Sequence, residues 1–291
     1  MRRHHRRPHD NQSTALFRTL QDSFSLPWLG LILVCALPFT AWADVSGSLT
    51  IAGNGPELRT IESLARAFEK ANPRAYVDVV WDDHAKPLEM LKAGQVQLAV
   101  AGAEEAGFMA TQIAWDGIGI LVHFSNSTKE ITSQQVADIF SGKVKAWSEV
   151  GGPDTTILLI DRPKNQNIKD AFERRLGIAG KIPDSAKTIS TDEKVVKTVV
   201  GTLPPRSAVA YISLSQGLSV VSSGVAVRLL SVDRVEPEVP TVKDGRYPLR
   251  RPVLLLSQQT SNSLTQAFSE FALSPAGRAI IAEVYVPFDR K

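Results

Sequence analysis

Cysteine and histidine are scarce in this sequence, and their scarcity excludes several kinds of site. The 291 residues include one cysteine, Cys35, and five histidines, of which only His84 and His123 lie beyond residue 43. A body without thiols has no disulfide, no cysteine nucleophile and no cysteine metal site. The two remaining histidines form neither an H-x-x-x-H nor an H-E-x-x-H pattern, so a histidine metal site is not expected.

Excess charge and enzyme motifs are also missing. Of the 33 lysines and arginines, five lie in residues 1–43, and of the 30 aspartates and glutamates, two lie there, so residues 44–291 carry 28 of each. A neutral body lacks the basic surface of a nucleic-acid-binding protein. The chain has no G-x-S-x-G and no Walker A sequence, and we expect neither enzymatic activity nor a cofactor.

The first 43 residues have the pattern of a secretory signal peptide. Four arginines lie within residues 2–7, and residues 27–43, PWLGLILVCALPFTAWA, form an apolar run that ends in a small-x-small cleavage pattern. We therefore predict export to the periplasm and removal of residues 1–43. Two alternatives stay open: a retained N-terminal anchor, for which the run is short, and lipidation of Cys35, which the bulky Val34 before it disfavours.

From residue 49 onward, the hydrophobic pattern predicts alternating strands and helices. Leu49–Ala52, AYVDVVW and VQLAVAG predict strands, and PELRTIESLARAFEKANP predicts a helix because its apolar residues recur at helical spacing. KPLEMLKAG predicts a short helix that ends at Gly94. The resulting β-α-β-α-β order is typical of a parallel α/β sheet.

The rest of the body continues in the same manner. TSQQVADIFSG predicts a helix capped by Thr132 or Ser133, and TTILLID and AVAYISLS predict strands. YPLRRPVLLLS is extended but carries two prolines, which predicts a crossover or edge strand. Two helices, in SLTQAFSEFALS and PAGRAIIAEV, complete the predicted elements.

Two histidine-containing segments have simple interpretations. Asp82-Asp83-His84 follows a predicted strand, and it is interpreted either as a solvated loop with a capping aspartate or as a ligand-lining loop at a strand end. His123 lies within an apolar run. We expect it to be half-buried with its hydrogen bonds satisfied rather than catalytic.

Residues 161–177, DRPKNQNIKDAFERRLG, form the strongest candidate anion site. Arg162 stands beside a predicted helix start, where free backbone amides favour an anion. Asn165, Gln166 and Asn167 follow, and their side-chain amides both donate and accept hydrogen bonds. This combination suits a carboxylate, an organic oxyanion, a sugar or no ligand.

Several segments, in order, are similar to the phosphate-binding proteins that serve ABC importers. ITSQQVADIFSGKVKAWSEVGG resembles a family helix followed by IFSG-K-x-x-W. LTIAGNGPELRTIESLARAF resembles the opening strand, ligand turn and first helix of that family. LKAGQVQLAVAG, AVAYISLS, YPLRRPVLLL and the tail FALSPAGRAII resemble further family segments, so the similarity extends over most of the body.

This resemblance implies a fold and a mode of action. The fold is the type II periplasmic-binding-protein architecture, an α/β fold of two lobes joined by two crossover strands. Lobe 1 would comprise residues 44–124 and 214–291, and lobe 2 would comprise residues 125–213. A ligand would sit in the cleft between the lobes and be trapped by hinge closure, with no bond broken, for presentation to a membrane permease.

The family's phosphate contacts are only partly matched in this sequence. The cradle R-x-x-G-S-G-T-x-x-x-F keeps Arg162 and Phe172, but residues 165–168 read Asn-Gln-Asn-Ile. Glu57 stands where the opening turn usually has serine or threonine, and Gly102 stands where the family has an aspartate that accepts a phosphate proton. The loss of three hydrogen bonds to a charged acceptor would cost about 5–9 kcal/mol.

Three interpretations of residues 161–177 therefore stay open. The stretch is an anion cradle with altered selectivity, an ordinary helix start beside a cleft that is empty or used for protein contact, or a phosphate site with unusual contacts. Arg162 has a simpler interpretation of its own, as a surface residue paired with Asp161 or Asp170.

We predict an exported, monomeric solute-binding protein that captures a small anion or polar solute, phosphate or an altered anion, for an ABC importer. If Glu57 and Arg162 face each other in the empty cleft, an internal salt bridge would lock it shut. The alternative is a periplasmic sensory or scaffold protein that keeps the fold, has lost the phosphate site and contacts a membrane receptor. The predicted ligand-binding residues are Asn54, Gly55, Glu57, Arg162, Asn165, Gln166 and Asn167.

Overall fold

A computed structural model describes residues 45–82 and 85–289. The signal-peptide prediction, with its anchor and lipidation alternatives, falls on residues 1–43 and lies outside the described residues. The same holds for Asp83 and His84 of the polar cluster. No helix in the described part is both long enough and apolar enough to cross a membrane.

Strands and helices alternate along the described chain. The strands are β1 (Gly47–Gly53), β2 (Ala75–Trp81), β3 (Leu98–Ala101), β4 (Phe108–His123), β5 (Glu130–Ile131), β6 (Leu158–Asp161), β7 (Lys187–Thr188), β8 (Ala208–Ser213), β9 (Val227–Val232), β10 (Arg250–Gln258) and β11 (Val286–Pro287). The helices are α1 (Leu58–Ala71), α2 (Pro87–Lys92), α3 (Ser133–Phe140), α4 (Asn167–Leu176), α5 (Asp192–Gly201), α6 (Leu214–Ser222), α7 (Val239–Lys243), α8 (Ser263–Leu273) and α9 (Pro275–Ile281), with a 3-10 helix at Trp147–Val150.

The long strand β4 joins two halves of the sheet. As far as Gly117 it pairs antiparallel with β10, and the order β2-β1-β3-β10-β4 forms what we call the first half. From Ile118 it pairs with β8, and from Ile120 it also pairs with β9. The order β4-β8-β6-β7, together with β9 and β5, forms the second half.

The opening β-α-β-α-β order is confirmed in the first half. β1 pairs in parallel with both β2 and β3, so β1 and β3 end at the same edge of the sheet. Helix α1 packs on these strands through one buried face that includes Ile61, Leu64 and Phe68. The shared edge is where open α/β sheets bind ligands.

Helix α3 starts as the sequence indicated, with Thr132 rather than Ser133 as the capping residue. The Thr132 hydroxyl accepts a hydrogen bond of 3.1 Å from the Gln135 backbone amide, and the Gln135 side chain accepts one of 2.9 Å from the Thr132 amide. This reciprocal pair is a capping box, which satisfies two otherwise unpaired amides at the helix start.

The prediction of an edge position for the proline-containing strand was wrong. β10 lies between β3 and β4. It pairs with β4 along its whole length but with β3 only over Leu254–Leu256. Pro252 lies in the part of β10 that pairs with β4 alone. The amide hydrogen that proline lacks is therefore not needed for hydrogen bonds to a second neighbouring strand, and proline is tolerated there.

The predicted lobe limits stay a prediction, and the strand pairing favours different ones. β9 lies within residues 214–249, which were assigned to lobe 1, yet it pairs with β5 and the second part of β4. Helix α6 packs against β4, β8 and β9. We therefore propose lobes of 45–117 plus 250–289 and of 118–249.

Candidate functional site

Several loops converge between the two halves of the sheet. The loop after β1 supplies Asn54, Gly55 and Glu57, and the loop after β3 supplies Gly102. The second half contributes the start of α4, which is held by Phe172: its buried ring stacks on the Tyr211 ring with centroids 4.0 Å apart. We call the place where these loops meet α4 the junction; it comprises Asn54, Gly55, Glu57, Gly102 and the start of α4.

Arg251 of β10 is the centre of the junction. Its side chain is only 1% exposed, and its Nη2 donates to Glu57 Oε1 at 2.6 Å and to Asp116 Oδ2 at 2.9 Å. Its Nε donates to the same Asp116 oxygen at 3.1 Å, and its Nη1 donates to Asn167 Oδ1 at 3.3 Å. One guanidinium thus binds two carboxylates from the first half and an amide from α4.

Glu57 connects the first half to the start of α4. It precedes α1 as the capping residue, yet its side chain makes no capping hydrogen bond to that helix. Instead, Oε2 accepts a hydrogen bond of 2.9 Å from the Asn167 side-chain amide, while Oε1 binds Arg251. The carboxylate is therefore buried, with each of its oxygens bound to a residue distant in sequence.

Asn54 makes a second connection across the junction. Its side-chain amide donates to the carbonyl oxygens of Ala85 and Asn165, and its Oδ1 accepts a hydrogen bond of 3.3 Å from the Asn167 backbone amide. A first-half side chain thus satisfies the first backbone amide of α4, in the position where an anion would bind.

Two glycines permit this close approach. A Cβ at Gly55 would lie 2.6 Å from Asn167 Nδ2, and a Cβ at Gly102 would lie 2.7 Å from the Asn167 carbonyl oxygen and 3.0 Å from Ala171 Cβ. Any side chain at residue 102 would therefore hold the β3 loop away from α4.

Arg162 adjoins this junction but does not bind Glu57. It is 3% exposed and pairs with Asp192, and its Nη1 donates to the Ser190 carbonyl oxygen at 2.9 Å. The surface interpretation is wrong: Asp161 instead accepts from Lys169 and from Tyr211, and Asp170 pairs with Arg174. Among the described residues, Arg162 Nε has no hydrogen-bond partner.

The structure thus brings together most of the predicted ligand-binding residues, with different roles for some. Asn54, Gly55, Glu57 and Asn167 meet directly. Asn165 contributes its backbone carbonyl while the residue itself is exposed, and Gln166 turns to the Ser190 carbonyl at 2.8 Å beside Arg162. An internal salt bridge of Glu57 is present, but its partner is Arg251 and not Arg162.

Asp116 and Arg251 are residues of the junction that the sequence analysis missed. Asp116 is the one charged residue in the apolar stretch IAWDGIGILV. Arg251 is one of two adjacent arginines in the otherwise apolar stretch YPLRRPVLLL. Charges in a buried strand require partners because unpaired buried charges are costly. That requirement is the signal that could have identified both residues.

The electrostatics of the junction disfavour a further highly charged group. Burial raises the pKa of Asp116 to about 6, although Arg251 acts in the opposite direction. Burial also raises the pKa of Asp192 against the attraction of Arg162. Two guanidinium groups face the three carboxylates of Glu57, Asp116 and Asp192, so no anion is needed for charge balance.

A polar pocket of about 310 Å³ opens beside the junction. Its cationic lining residues are mostly paired: Lys86 with Glu89, Lys92 with Glu105, and Arg174 with Asp170. Lys164 has no ion-pair partner within the described ranges. The pocket is lined by residues of both halves, including Asn54, Gly102, Lys164, Asn165 and Asn167.

The remaining predictions concern His123 and metal-binding side chains. His123 is half-buried, as expected, and its Nδ1 lies 2.7 Å from the Ser125 hydroxyl. No group of three or more metal-binding side chains occurs in residues 45–82 and 85–289.

Comparison with known proteins identifies the fold and the family. A family model described as a PBP superfamily domain matches residues 39–276. The phosphate-binding protein PstS of Bacillus subtilis (strain 168) is 30% identical over 213 residues, which are 70% of this chain and 68% of that protein.

Solved structures agree with this match. A putative phosphate ABC transporter substrate-binding protein with bound phosphate, from Clostridium perfringens, superposes with a TM-score of 0.72 at 25% identity over 84% of this chain and all of that one. An ABC-type phosphate transport receptor from Vibrio cholerae shares the fold, with a TM-score of 0.71 at 22% identity over 82% of this chain and 99% of that one. The predicted family resemblance and fold class are therefore confirmed: the chain belongs to the PBP superfamily.

Proposed function

We propose that this protein binds a small oxyanion, phosphate or a related anion, between the two halves of its fold and presents it to the permease of an ABC importer. The observation that carries this proposal is the 213-residue similarity to a protein named for phosphate binding. The structural relative from Clostridium perfringens contains bound phosphate. Both relatives are named for binding and not for catalysis, and we assign no reaction to this chain.

The geometry supports a binding site at the junction itself. The ends of β1 and β3, the start of α4 and the Arg251 guanidinium face one another there, and these are groups that suit an anion. In the closed arrangement, the side chains of Asn54 and Glu57 fill the position that an anion would occupy among these groups. We therefore propose that the ligand enters when the two halves separate and that the halves close again around it.

The same geometry favours a weakly charged ligand. At an effective dielectric constant of 20, two like charges 4 Å apart repel by about 4 kcal/mol. Since Glu57 is buried at this junction, a dianion beside its carboxylate would bear twice the repulsion that a monoanion bears. We expect monoanions, among them small carboxylates and monobasic phosphate, to bind better than dibasic phosphate or sulfate.

Location and partners follow from the same proposal. A substrate-binding protein of an importer works outside the cytoplasm, which agrees with the predicted signal peptide in residues 1–43, and we propose the periplasm as its location. We propose that it acts as a monomer on a permease. The sensory or scaffold alternative is not favoured, because the relatives are named for phosphate binding and transport.

An anion screen tests this function. We expect thermal unfolding of the purified protein to shift upward with one or more of phosphate, acetate, formate and sulfate, with binding heat measured by isothermal titration calorimetry. A ligand at 100 times its dissociation constant adds about 2.7 kcal/mol to the free energy of unfolding. The proposal fails if no anion in the panel produces a shift or binding heat at pH 6 and pH 8.

A pair of variants places the bound anion. Asn167→Ala removes a side chain at the start of α4 and should weaken binding. Gln134→Ala is the control, because Gln134 is exposed in the first turn of α3 and its side chain, among the described residues, bonds only to Asp138 of its own helix. Equal weakening by both variants would contradict the assignment of the site to this junction.

A further inference from the structure

Glu57 is held in the way that a protein holds a bound anion. Its carboxylate is 1% exposed, and its two oxygens bind two different donors, Arg251 Nη2 at 2.6 Å and Asn167 Nδ2 at 2.9 Å. These donors come from β10 and from α4, which are elements of opposite halves. The side chain also leaves its own helix without a side-chain cap, so local helix stability does not explain its position.

Charge balance does not explain the position of Glu57 either. Asp116 already binds Arg251 through both Nε and Nη2, at 3.1 and 2.9 Å. One carboxylate is sufficient to neutralise one guanidinium. Glu57 is thus not needed to neutralise Arg251. In its absence, the hydrogen-bond donors Arg251 Nη2 and Asn167 Nδ2 would be available to another anion.

We propose that the Glu57 carboxylate is a built-in occupant of a latent anion site formed by Arg251 and Asn167, and that this site takes a small carboxylate or oxyanion when Glu57 is shortened. This inference deepens the proposed function and rests on it, because it names the residue with which an external ligand competes. Truncation to alanine removes a carboxylate and one methylene, a group of the size of acetate.

Competition with an internal carboxylate lowers the apparent affinity for external anions. When the binding-competent state is only a fraction of the population, the apparent dissociation constant rises by the inverse of that fraction. If the Glu57-occupied state outnumbers the vacant state by about 10 to 100 to one, removing the carboxylate strengthens anion binding by about 10- to 100-fold.

The test is chemical rescue of Glu57→Ala. Thermal unfolding of the purified variant and of the wild type is followed against sodium acetate, sodium formate and sodium phosphate, with sodium chloride keeping the ionic strength constant. We expect saturable stabilisation of Glu57→Ala by at least one of these anions, with a half-saturating concentration at least ten-fold lower than for the wild type.

Three controls locate the effect. Glu62→Ala removes an exposed carboxylate on the same helix and should behave like the wild type. Glu57→Gln removes the charge but keeps the position filled, so acetate should not stabilise it beyond the wild type. Addition of Asn167→Ala to Glu57→Ala removes one donor and should weaken the rescue.

Two results would overturn the inference: a folded Glu57→Ala variant that gains no more from anions than the wild type, or equal gains in Glu62→Ala. If Glu57→Ala does not fold in chloride, circular dichroism in acetate replaces the melting curve. Recovery of the fold in acetate then supports the inference, and a chain that stays unfolded there, together with a folded Glu57→Ser that acetate does not stabilise, rejects it.

The outcomes also separate this inference from the proposed function. A wild type that responds to the anion screen, with no gain in Glu57→Ala, leaves the function intact and removes the inference. A wild type without any response, together with a rescued Glu57→Ala, supports the latent site and counts against anion capture by the natural protein.

Discussion

At the scale of single residues, the junction depends on how one guanidinium and two carboxyl groups share one buried volume. Arg251 is buried between Glu57 and Asp116, and removal of one partner from a buried ion pair typically costs about 3–5 kcal/mol. Here, both carboxylates bind the same guanidinium. If one is removed, the other still pairs with Arg251, so the loss costs less than in an isolated ion pair. Asp116 also accepts a hydrogen bond of 3.1 Å from the Ser213 hydroxyl.

The raised pKa of Asp116 predicts a pH dependence of stability. Its pKa in the folded protein, about 6, lies above the ordinary value of 3.8 because burial disfavours the charged form. The folded state therefore holds a proton that the unfolded state has released between these values. The stability that Asp116 contributes is complete below about pH 3.8 and is lost as the pH rises through 6.

Urea unfolding at pH 4, 5, 6 and 7 measures this contribution. Asp116→Asn removes the titrating group, so the stability of the variant relative to the wild type should rise from pH 4 to pH 7. Asp184→Asn, at an exposed residue without an ion pair in the described part of the chain, controls for the chemical change. A relative stability of Asp116→Asn that does not vary with pH would contradict the prediction.

At the scale of elements, the decisive contact is between the β3 loop and the start of α4. Gly102 lies against the Asn167 carbonyl oxygen, and this backbone offers little room for adjustment. Asn54 completes the contact from the β1 loop by accepting from the Asn167 amide. The first backbone amide of α4 is thus satisfied by the opposite half and not by a side-chain cap of its own, since the Gln166 side chain makes no capping hydrogen bond.

Gly102→Ala should therefore destabilise the protein by about 1–3 kcal/mol, the usual cost of overpacking. The control is Gly201→Ala, because Gly201 ends α5 with open space where a Cβ would lie and should lose nothing or gain up to about 1 kcal/mol. Urea unfolding of both variants measures the difference. Equal effects would show that the β3 loop does not press on α4.

At the scale of the whole molecule, covalent continuity and polar contacts hold the two halves in different ways. β4 runs through both halves and keeps them connected in any state. The closed junction, in contrast, depends on hydrogen bonds that the Asn54 and Glu57 side chains accept from Asn167 at the start of α4. Closure is therefore the part of the structure that a point substitution can release.

Asn54→Ala should shift the molecule toward an open form. It removes hydrogen bonds to Asn165 and Asn167, each worth about 0.5–1.5 kcal/mol net. Small-angle X-ray scattering should show a larger radius of gyration than for the wild type. Asn262→Ala is the control: it removes the cap of α8 within the first half, so it should cost stability without changing the scattering. Identical scattering curves for Asn54→Ala and the wild type would rule out this role.

The sequence by itself determined the local elements and the family. The apolar spacing of α1, a cap at Thr132 or Ser133 and the alternation of strands and helices are visible within windows of a few residues, because helices and strands bury one face at a fixed period. The family resemblance likewise depended on short segments in order. It placed Asn54, Glu57 and Asn167 at one site.

Only the tertiary structure decided which charges meet. Arg251 binds Glu57 from 194 positions away and Asp116 from 135 positions away, while Arg162 turns to Asp192 instead of the cleft. No local pattern encodes such pairs, since they arise when β10 inserts between β3 and β4 and brings distant side chains into one buried volume. An unpaired charge in that volume would be strongly unfavourable, so each charged side chain pairs with an opposite charge that is near in space, however distant it is along the chain.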